Sequence, residues 1–217
     1  MFKDRREAGQ ELAAELAKLR LPEPVVLALP RGGVPVGAEV AAALNAPFDL
    51  VFVRKVGAPG DPELAVAAIV DGDPPDVVFN REIIEAYALS DSDLRALIDL
   101  ERPELERRRL AYRGERQILS VSGRTVILVD DGAATGTTMK AAVRALKRRS
   151  PREVVVALPV APLETVEELA READKVVCLS QPPHFHALSY HYSKFPQLTD
   201  EEVTVAMSKP RNARQAC

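Results

Sequence analysis

Short apolar runs recur along this chain, each followed by a stretch whose apolar residues repeat at helical spacing. Residues 3–20 read as a helix with Leu12, Leu16 and Leu19 on one face, stopped by Pro22 and Pro24. Val25–Leu29 is a strand, Pro30-Arg31-Gly32-Gly33 a turn, and Val34–Leu44 a helix. Asp49–Val53 predicts a second strand. Leu64–Val70 and Val77–Phe79 flank Gly72-Asp73-Pro74-Pro75, the pattern of a hairpin or two-stranded flap. Residues 91–113 form a long charged helix opened by the capping pair Ser90 and Asp93 and predicted to kink at Pro103.

The second half repeats the alternation. Strands are predicted at Thr125–Val129, Val154–Leu158 and Val176–Leu179. Helices are predicted over about 138–149, from near Pro162, and after Thr199, where Thr199 and Glu202 match a capping box. Five apolar strands alternating with helices argue for an α/β protein with an open, parallel five-stranded sheet and helices on both faces. Ligands of such sheets bind beyond the carboxyl ends of the strands, where the winding direction reverses. The loops after Val25–Leu29 and Thr125–Val129 both emerge at carboxyl ends. They share a cleft if those strands are neighbours.

The sharpest chemical signal follows the strand at 125–129. Its apolar residues end in adjacent carboxylates, Asp130 and Asp131, then Gly132-Ala133-Ala134-Thr135-Gly136-Thr137-Thr138, then a helix. Small residues let backbone N–H groups approach a phosphate, the helix N-terminus adds its dipole, and threonine hydroxyls donate further hydrogen bonds. Adjacent acids at a strand end are costly unless they meet a cation or ligand hydroxyls. Together these features suit a sugar phosphate, with the 5′-phosphate in the loop and ring hydroxyls on the acids. A P-loop requires Lys after its last Gly, whereas Thr137 follows Gly136. Gly32-Gly33-Val34-Pro35-Val36-Gly37 lacks the spacing of a dinucleotide fingerprint.

This segment resembles the phosphoribosyl pyrophosphate signature of type I phosphoribosyltransferases. Pro30-Arg31-Gly32-Gly33 resembles that family's pyrophosphate loop. Val53-Arg54-Lys55-Val56-Gly57 resembles the basic pair after the second strand in adenine-type members. The likeness covers residues 24–180. It implies one phosphoribosyltransferase domain over 1–217, with a core at about 24–180, a β-hairpin and helical flap at about 60–115, and a small C-terminal hood at about 181–217.

The resemblance also implies roles. Thr135, Gly136, Thr137 and Thr138, with the amides of Ala133 and Ala134 and the turn at Gly132, would hold the 5′-phosphate. Asp130 and Asp131 would meet the ribose hydroxyls and magnesium, the metal through water if not directly. Arg31, Gly32 and Gly33 would hold the pyrophosphate, with Arg54 and Lys55 as catalytic cations beside it. The partners implied are phosphoribosyl pyrophosphate, a nitrogenous base as acceptor, and Mg²⁺. The alternative function is a regulatory protein that senses phosphoribosyl pyrophosphate without turnover. Ala134 stands where hypoxanthine and guanine enzymes carry an Asp, which argues against that base specificity. Arg107-Arg108-Arg109, Tyr112 and Arg113 are read either as a lid over the pyrophosphate or as a solvated helix face with Glu104 pairing Arg108. Phe185, Tyr190, Tyr192 and Phe195 are read either as a base-stacking hood or as packing of the tail onto the core.

Composition narrows the rest. The formal net charge of −3 supplies no global basic field, so no nucleic acid is expected as a partner. No apolar run approaches membrane-spanning length, and Met1-Phe2-Lys3-Asp4 lacks a signal-peptide core, so the expected location is the cytoplasm. Cys178 and Cys217 read as a buried small residue and a tail thiol rather than a disulfide or a metal site. A homo-oligomer is left open.

Overall fold

A computed structural model of the chain describes residues 1–208. Cys217 and the last part of the predicted hood lie outside the described residues. Helix α1 (Arg5–Lys18) begins at Asp4, whose carboxylate accepts the Arg6 and Glu7 N–H groups. Leu12 and Leu16 are buried as expected, whereas Leu19 falls at the helix end and is exposed. The chain then runs through β1 (Pro24–Ala28), α2 (Gly33–Ala43) and β2 (Phe48–Leu50). A second sheet follows, made of β3 (Val53–Ala58), β4 (Asp61–Val70) and β5 (Asp76–Phe79). After α3 (Arg81–Ala86) and α4 (Asp91–Arg113) come β6 (Thr125–Val129), α5 (Thr137–Lys147), β7 (Glu153–Val160), α6 (Leu163–Ala170) and β8 (Lys175–Ser180). A short 3₁₀ turn at Leu188–His191 and α7 (Asp200–Ser208) complete it.

The central sheet is parallel, in the order β2-β1-β6-β7-β8. Its strands are mainly apolar because both faces are covered. On one face, Val26 and Ile127 pack with Leu12, Leu16, Val36 and Val40 of α1 and α2. On the other, Val25, Leu27, Val126 and Leu128 pack with α5 and with the inner face of the second sheet. Each fully buried Val or Leu contributes about 1.5–3 kcal/mol relative to exposure. The outer face of the second sheet carries α4, which buries Leu94, Ile98, Leu105 and Tyr112, and α7, which buries Val203 and Met207.

One sequence expectation needs correcting. The apolar run at 49–53 is not one strand: its first part joins the parallel sheet at β2, and Val53 opens β3 of the antiparallel sheet, β3-β4-β5. Val51 and Phe52 at the crossing are both buried, so no polar residue marks the break.

Arg113, considered above as part of a lid, is a buried tie. Its guanidinium donates to Asp49 Oδ1 at 3.2 Å, to Asp71 and to the Leu50 carbonyl, joining α4 to β2 and to the end of β4. Burial pushes the Asp71 carboxyl up, and Arg113 draws it back. Removing one partner of a buried ion pair strands the other. Arg113→Met is therefore expected to cost about 3–5 kcal/mol in equilibrium urea unfolding at neutral pH. The deficit should shrink in acid, because a buried carboxyl with a raised folded-state pKa favours the folded state only while protonated. An unchanged urea midpoint would refute this assignment.

Candidate active site

The site is built where β1 and β6 end side by side. Their residues pair in register from Pro24–Thr125 to Ala28–Val129, and the Leu29 N–H donates to the Val129 carbonyl at 2.9 Å. β2 lies beyond β1, and β7 and β8 lie beyond β6, so the winding direction reverses between β1 and β6. The Pro30–Gly33 and Asp130–Thr138 loops therefore open into one cleft. The Pro30–Arg31 peptide is cis. A Cβ on Gly32 would lie 2.2 Å from Asp131 Oδ2, and one on Gly33 would lie 2.6 Å from the Val129 carbonyl oxygen. Only glycine lets the two loops meet this closely.

Helix α5 starts without a side-chain cap: its N-cap is Gly136, held at φ 64°. The Lys140 N–H is bonded to the Gly136 carbonyl at 2.8 Å, and the amides before it in the first turn are the helix's orphan donors. Ala134, Thr135, Thr137 and Thr138 are exposed around this open end. The Thr135 and Thr137 hydroxyls lie 3.2 Å apart. Thr165, at the start of α6, buttresses the loop from below by donating to the Ala134 carbonyl at 2.6 Å. The result is a cup of N–H and O–H donors at a positive helix end, suited to a phosphate. Ala133 does not belong to the cup. Its N–H donates to the Val160 carbonyl at 3.1 Å, which removes it from the donors expected there. Gly132 is buried beneath Leu188 and Val160.

The two acids have different surroundings. Asp131 is buried, and its Oδ2 accepts Arg5 Nε at 2.7 Å. Arg5 is itself buried. It stacks 3.7 Å from the centre of the Phe195 ring and donates to the Pro196 carbonyl at 2.8 Å. Tyr192 donates its hydroxyl to the Asp131 backbone carbonyl. Asp130 is half-buried, and its Oδ1 accepts the Asp131 N–H at 2.8 Å. Burial raises both carboxyls above the usual range. Asp130 is raised further, because burial is reinforced by the charge of Asp131, whereas Arg5 draws Asp131 back down. Asp131 is thus largely committed to Arg5, whereas Asp130 has no ion-pair partner among the described residues.

The basic pair divides. Successive strand residues face opposite sides. Arg54 lies opposite Ile69, on the α4 side, and forms an ion pair with Glu101 of α4. Lys55 lies opposite Ala68, on the inner face that packs with Ala133 and Met139, and bonds Glu63 Oε2 at 3.0 Å. Arg31 is instead grouped with Arg107, Arg108 and Tyr112 around a cleft of about 330 Å³. The expected Glu104–Arg108 pair is present on α4. Arg107 and Arg108 line this cleft, and both bond Glu104, at 2.7 and 2.8 Å. In the tail, Tyr192 packs on Phe2 and Phe195, and Phe185 stacks on His191, while Tyr190 is 72 % exposed. Phe185, Tyr192 and Phe195 thus pack the tail against Phe2 and Val160 of the core.

Comparison with known proteins places this architecture. Residues 3–194 match the family model of the phosphoribosyl transferase domain. The chain belongs to that family. Two Mycobacterium tuberculosis relatives, from strains CDC 1551 / Oshkosh and H37Rv, are provisionally named phosphoribosyl transferases. Each is 41% identical over 209 residues, which is 96% of this chain and 47% of the relative. The chain thus spans about half the length of these curated relatives. The crystal structure of TT1426 from Thermus thermophilus is similar at a TM-score of 0.86 and 45% identity, covering 95% of this chain and 97% of that one. Among the described residues of this phosphoribosyltransferase domain, no helix is long and apolar enough to cross a membrane.

Arg5, Thr165 and Leu188 also contact the loop, at Asp131, Ala134 and Gly132. No local pattern marks them, because each reaches the loop from a distant helix or turn.

The raised carboxyl of Asp130 has a consequence for stability. A folded-state pKa above the unfolded value adds stability below the unfolded pKa, and that stability is lost as pH rises through the folded pKa. Asp130→Asn is therefore expected to raise Tm at neutral pH and to leave it unchanged in acid below the ordinary carboxylate range. Thermal unfolding across pH checks this. A Tm gain that is constant with pH, or a loss at neutral pH, would contradict it.

Proposed function

We propose that this protein transfers ribose 5-phosphate from phosphoribosyl pyrophosphate to a nitrogenous base, with Mg²⁺ and with release of pyrophosphate. The observation that supports this most is the uncapped, threonine-lined start of α5 beside the half-buried carboxylate of Asp130. The amides of Ala134 to Thr138 and the Thr hydroxyls would take the 5′-phosphate. Asp130 would accept from the ribose hydroxyls. Arg31 and the backbone at Gly32 and Gly33 would take the pyrophosphate across the cleft.

Magnesium suits the donors present. Among the described residues no group of three or more His, Cys, Asp or Glu gathers as a metal site. Mg²⁺ typically keeps several waters and binds through one or two carboxylates plus substrate phosphates. Asp130, with Asp131 behind it, offers such a partial shell. When bound, the ion would offset negative charge on the diphosphate. The chain's own contribution is placement and charge. As the bond from the anomeric carbon to the pyrophosphate oxygen breaks, negative charge grows on the leaving group and positive charge on the sugar. A ring nitrogen of the base then bonds to that carbon, and the base's N–H proton is released to water. Cations that bind the leaving group more tightly late in this process lower the barrier. Lys55 would serve that role from the inner face of β3, whereas Arg54 is paired with Glu101 of α4.

Pyrophosphate release from phosphoribosyl pyrophosphate and magnesium, screened across purines, pyrimidines and related bases, tests the proposal. Turnover with one base class is expected. Binding without release in any pairing would instead assign a sensor. Gly136→Val, which forces a β-branched residue to φ 64° beside Thr165, should cut turnover by roughly 100-fold or more, the scale of losing one preorganised donor.

The two basic residues are expected to separate in kinetics. Lys55→Ala should lower kcat more than it weakens substrate affinity. Arg54→Ala should change kcat little and stability by about 0–1 kcal/mol. Equal kinetic losses in both variants would show that the division by strand face is immaterial.

A further inference from the structure

The cleft around Arg31 has a contact that the proposed reaction does not use. It is lined by Pro30, Arg31, Arg107, Arg108, Tyr112 and Asp200. Asp200 is the first residue of α7, and its Oδ1 meets Arg31 Nη1 at 3.3 Å and accepts the Tyr112 hydroxyl. Tyr112 is a fixed wall: its ring is buried and lies 6.0 Å from that of Phe52. The cleft thus presents three guanidinium groups and a rigid hydroxyl donor, with one carboxylate of the chain's own already set among them.

That carboxylate is not needed to start or hold its helix. The start of α7 is secured by Thr199 and Glu202: the Thr199 N–H donates to Glu202 Oε2 at 2.8 Å, and the Glu202 N–H donates to Thr199 Oγ1 at 3.2 Å. The helix is fastened to the domain by buried Val203 and Met207 and by Arg116, which donates to the Met207 carbonyl. Asp200 is an exposed residue whose polar contacts point into the cleft. The Tyr112 hydroxyl, followed by Arg31, holds the Asp200 carboxyl below the ordinary range, so it is ionised at neutral pH.

We propose that the pocket formed by Arg31, Arg107, Arg108 and Tyr112 is a diphosphate-binding site in which Asp200 acts as a built-in competing anion that an incoming diphosphate displaces. An oxyanion of the ligand would accept the Tyr112 hydroxyl and the Arg31 guanidinium in place of Asp200 Oδ1. Arg107 and Arg108, each sharing Glu104, would add charge from the α4 side. Asp200 then sets a threshold: it keeps Arg31 engaged and screens the pocket against singly charged anions, while a multiply charged diphosphate outcompetes one carboxylate. This deepens the proposed function and rests on it in one respect, the assignment of Arg31 to the diphosphate.

Isothermal titration calorimetry of the whole chain with inorganic pyrophosphate tests the proposal, in metal-free buffer so that no magnesium bridge to Asp130 contributes. The same proteins are titrated separately with ribose 5-phosphate. Asp200→Asn should bind pyrophosphate about tenfold tighter than the unmodified chain, since the charge-assisted contacts of the Asp200 carboxylate with Arg31 and Tyr112 no longer have to be broken. Adding Arg107→Gln and Arg108→Gln to Asp200→Asn should abolish that gain. Ribose 5-phosphate affinity should be the same in all three proteins. Pyrophosphate affinity that is unchanged or weaker in Asp200→Asn overturns the proposal, as does a gain that survives loss of both arginines. Absence of ribose 5-phosphate binding would count against the proposed function alone, because the pyrophosphate titrations read a pocket that the Thr135–Thr138 loop does not line.

Discussion

The close meeting of two backbone loops is the constraint on which the site depends. Gly32 and Gly33 lie against Asp131, Val129 and Asp130 with no room for a side chain between them. This contact exists because β1 and β6 are hydrogen-bonded neighbours in register, so their loops leave the sheet at one level. Both faces of the sheet are covered, by α1 and α2 on one side and by α5 and the second sheet on the other, which holds that register rigidly. A cleft at the switch point follows from the topology. Its suitability for an anion follows from what the second loop leads into, a helix start that no side chain caps.

Crowding the loops together places two carboxylates in a partly dry space, which is costly unless their charge is answered. The fold answers one of them from within. Arg5, held against Phe195 and the Pro196 carbonyl, neutralises Asp131, and the N-terminal helix and the tail are thereby bound to the site they enclose. Asp130 accepts a neighbouring N–H but has no ion-pair partner among the described residues, and burial raises its carboxyl. Groups perturbed in this way concentrate where ligands bind, because the ligand supplies the missing interaction. On this account the acid pair is one structural acid and one acid kept for a ligand.

The parallel sheet was legible in the sequence because its strands are short, apolar on both faces and punctuated by glycine or proline turns. The phosphate loop was legible because its chemistry is local: acids, small residues, hydroxyls and a helix start lie within one segment. Contacts that span the chain were not legible. Arg5 lies 126 residues from Asp131, and nothing around it in α1 distinguishes it from Arg6, which faces Glu39 on the surface. The basic pair misled for a different reason. Buried Val51 and Phe52 bridge β2 and β3 without a polar break, so one strand was expected where two sheets meet. Arg54 and Lys55 were then expected as a pair following that strand, whereas they lie on opposite faces of the next one.

The central claim is that the open start of α5 is a sugar-phosphate site served by Asp130. A crystal structure of the protein soaked with ribose 5-phosphate tests it most directly. The account predicts the phosphate among the amides of Ala134 to Thr138, with the ring hydroxyls on Asp130 and the Arg5–Asp131 ion pair intact. A phosphate bound among Arg31, Arg107 and Arg108 with the threonine loop empty, or a sugar that reaches Asp131 by breaking its pair with Arg5, would contradict it.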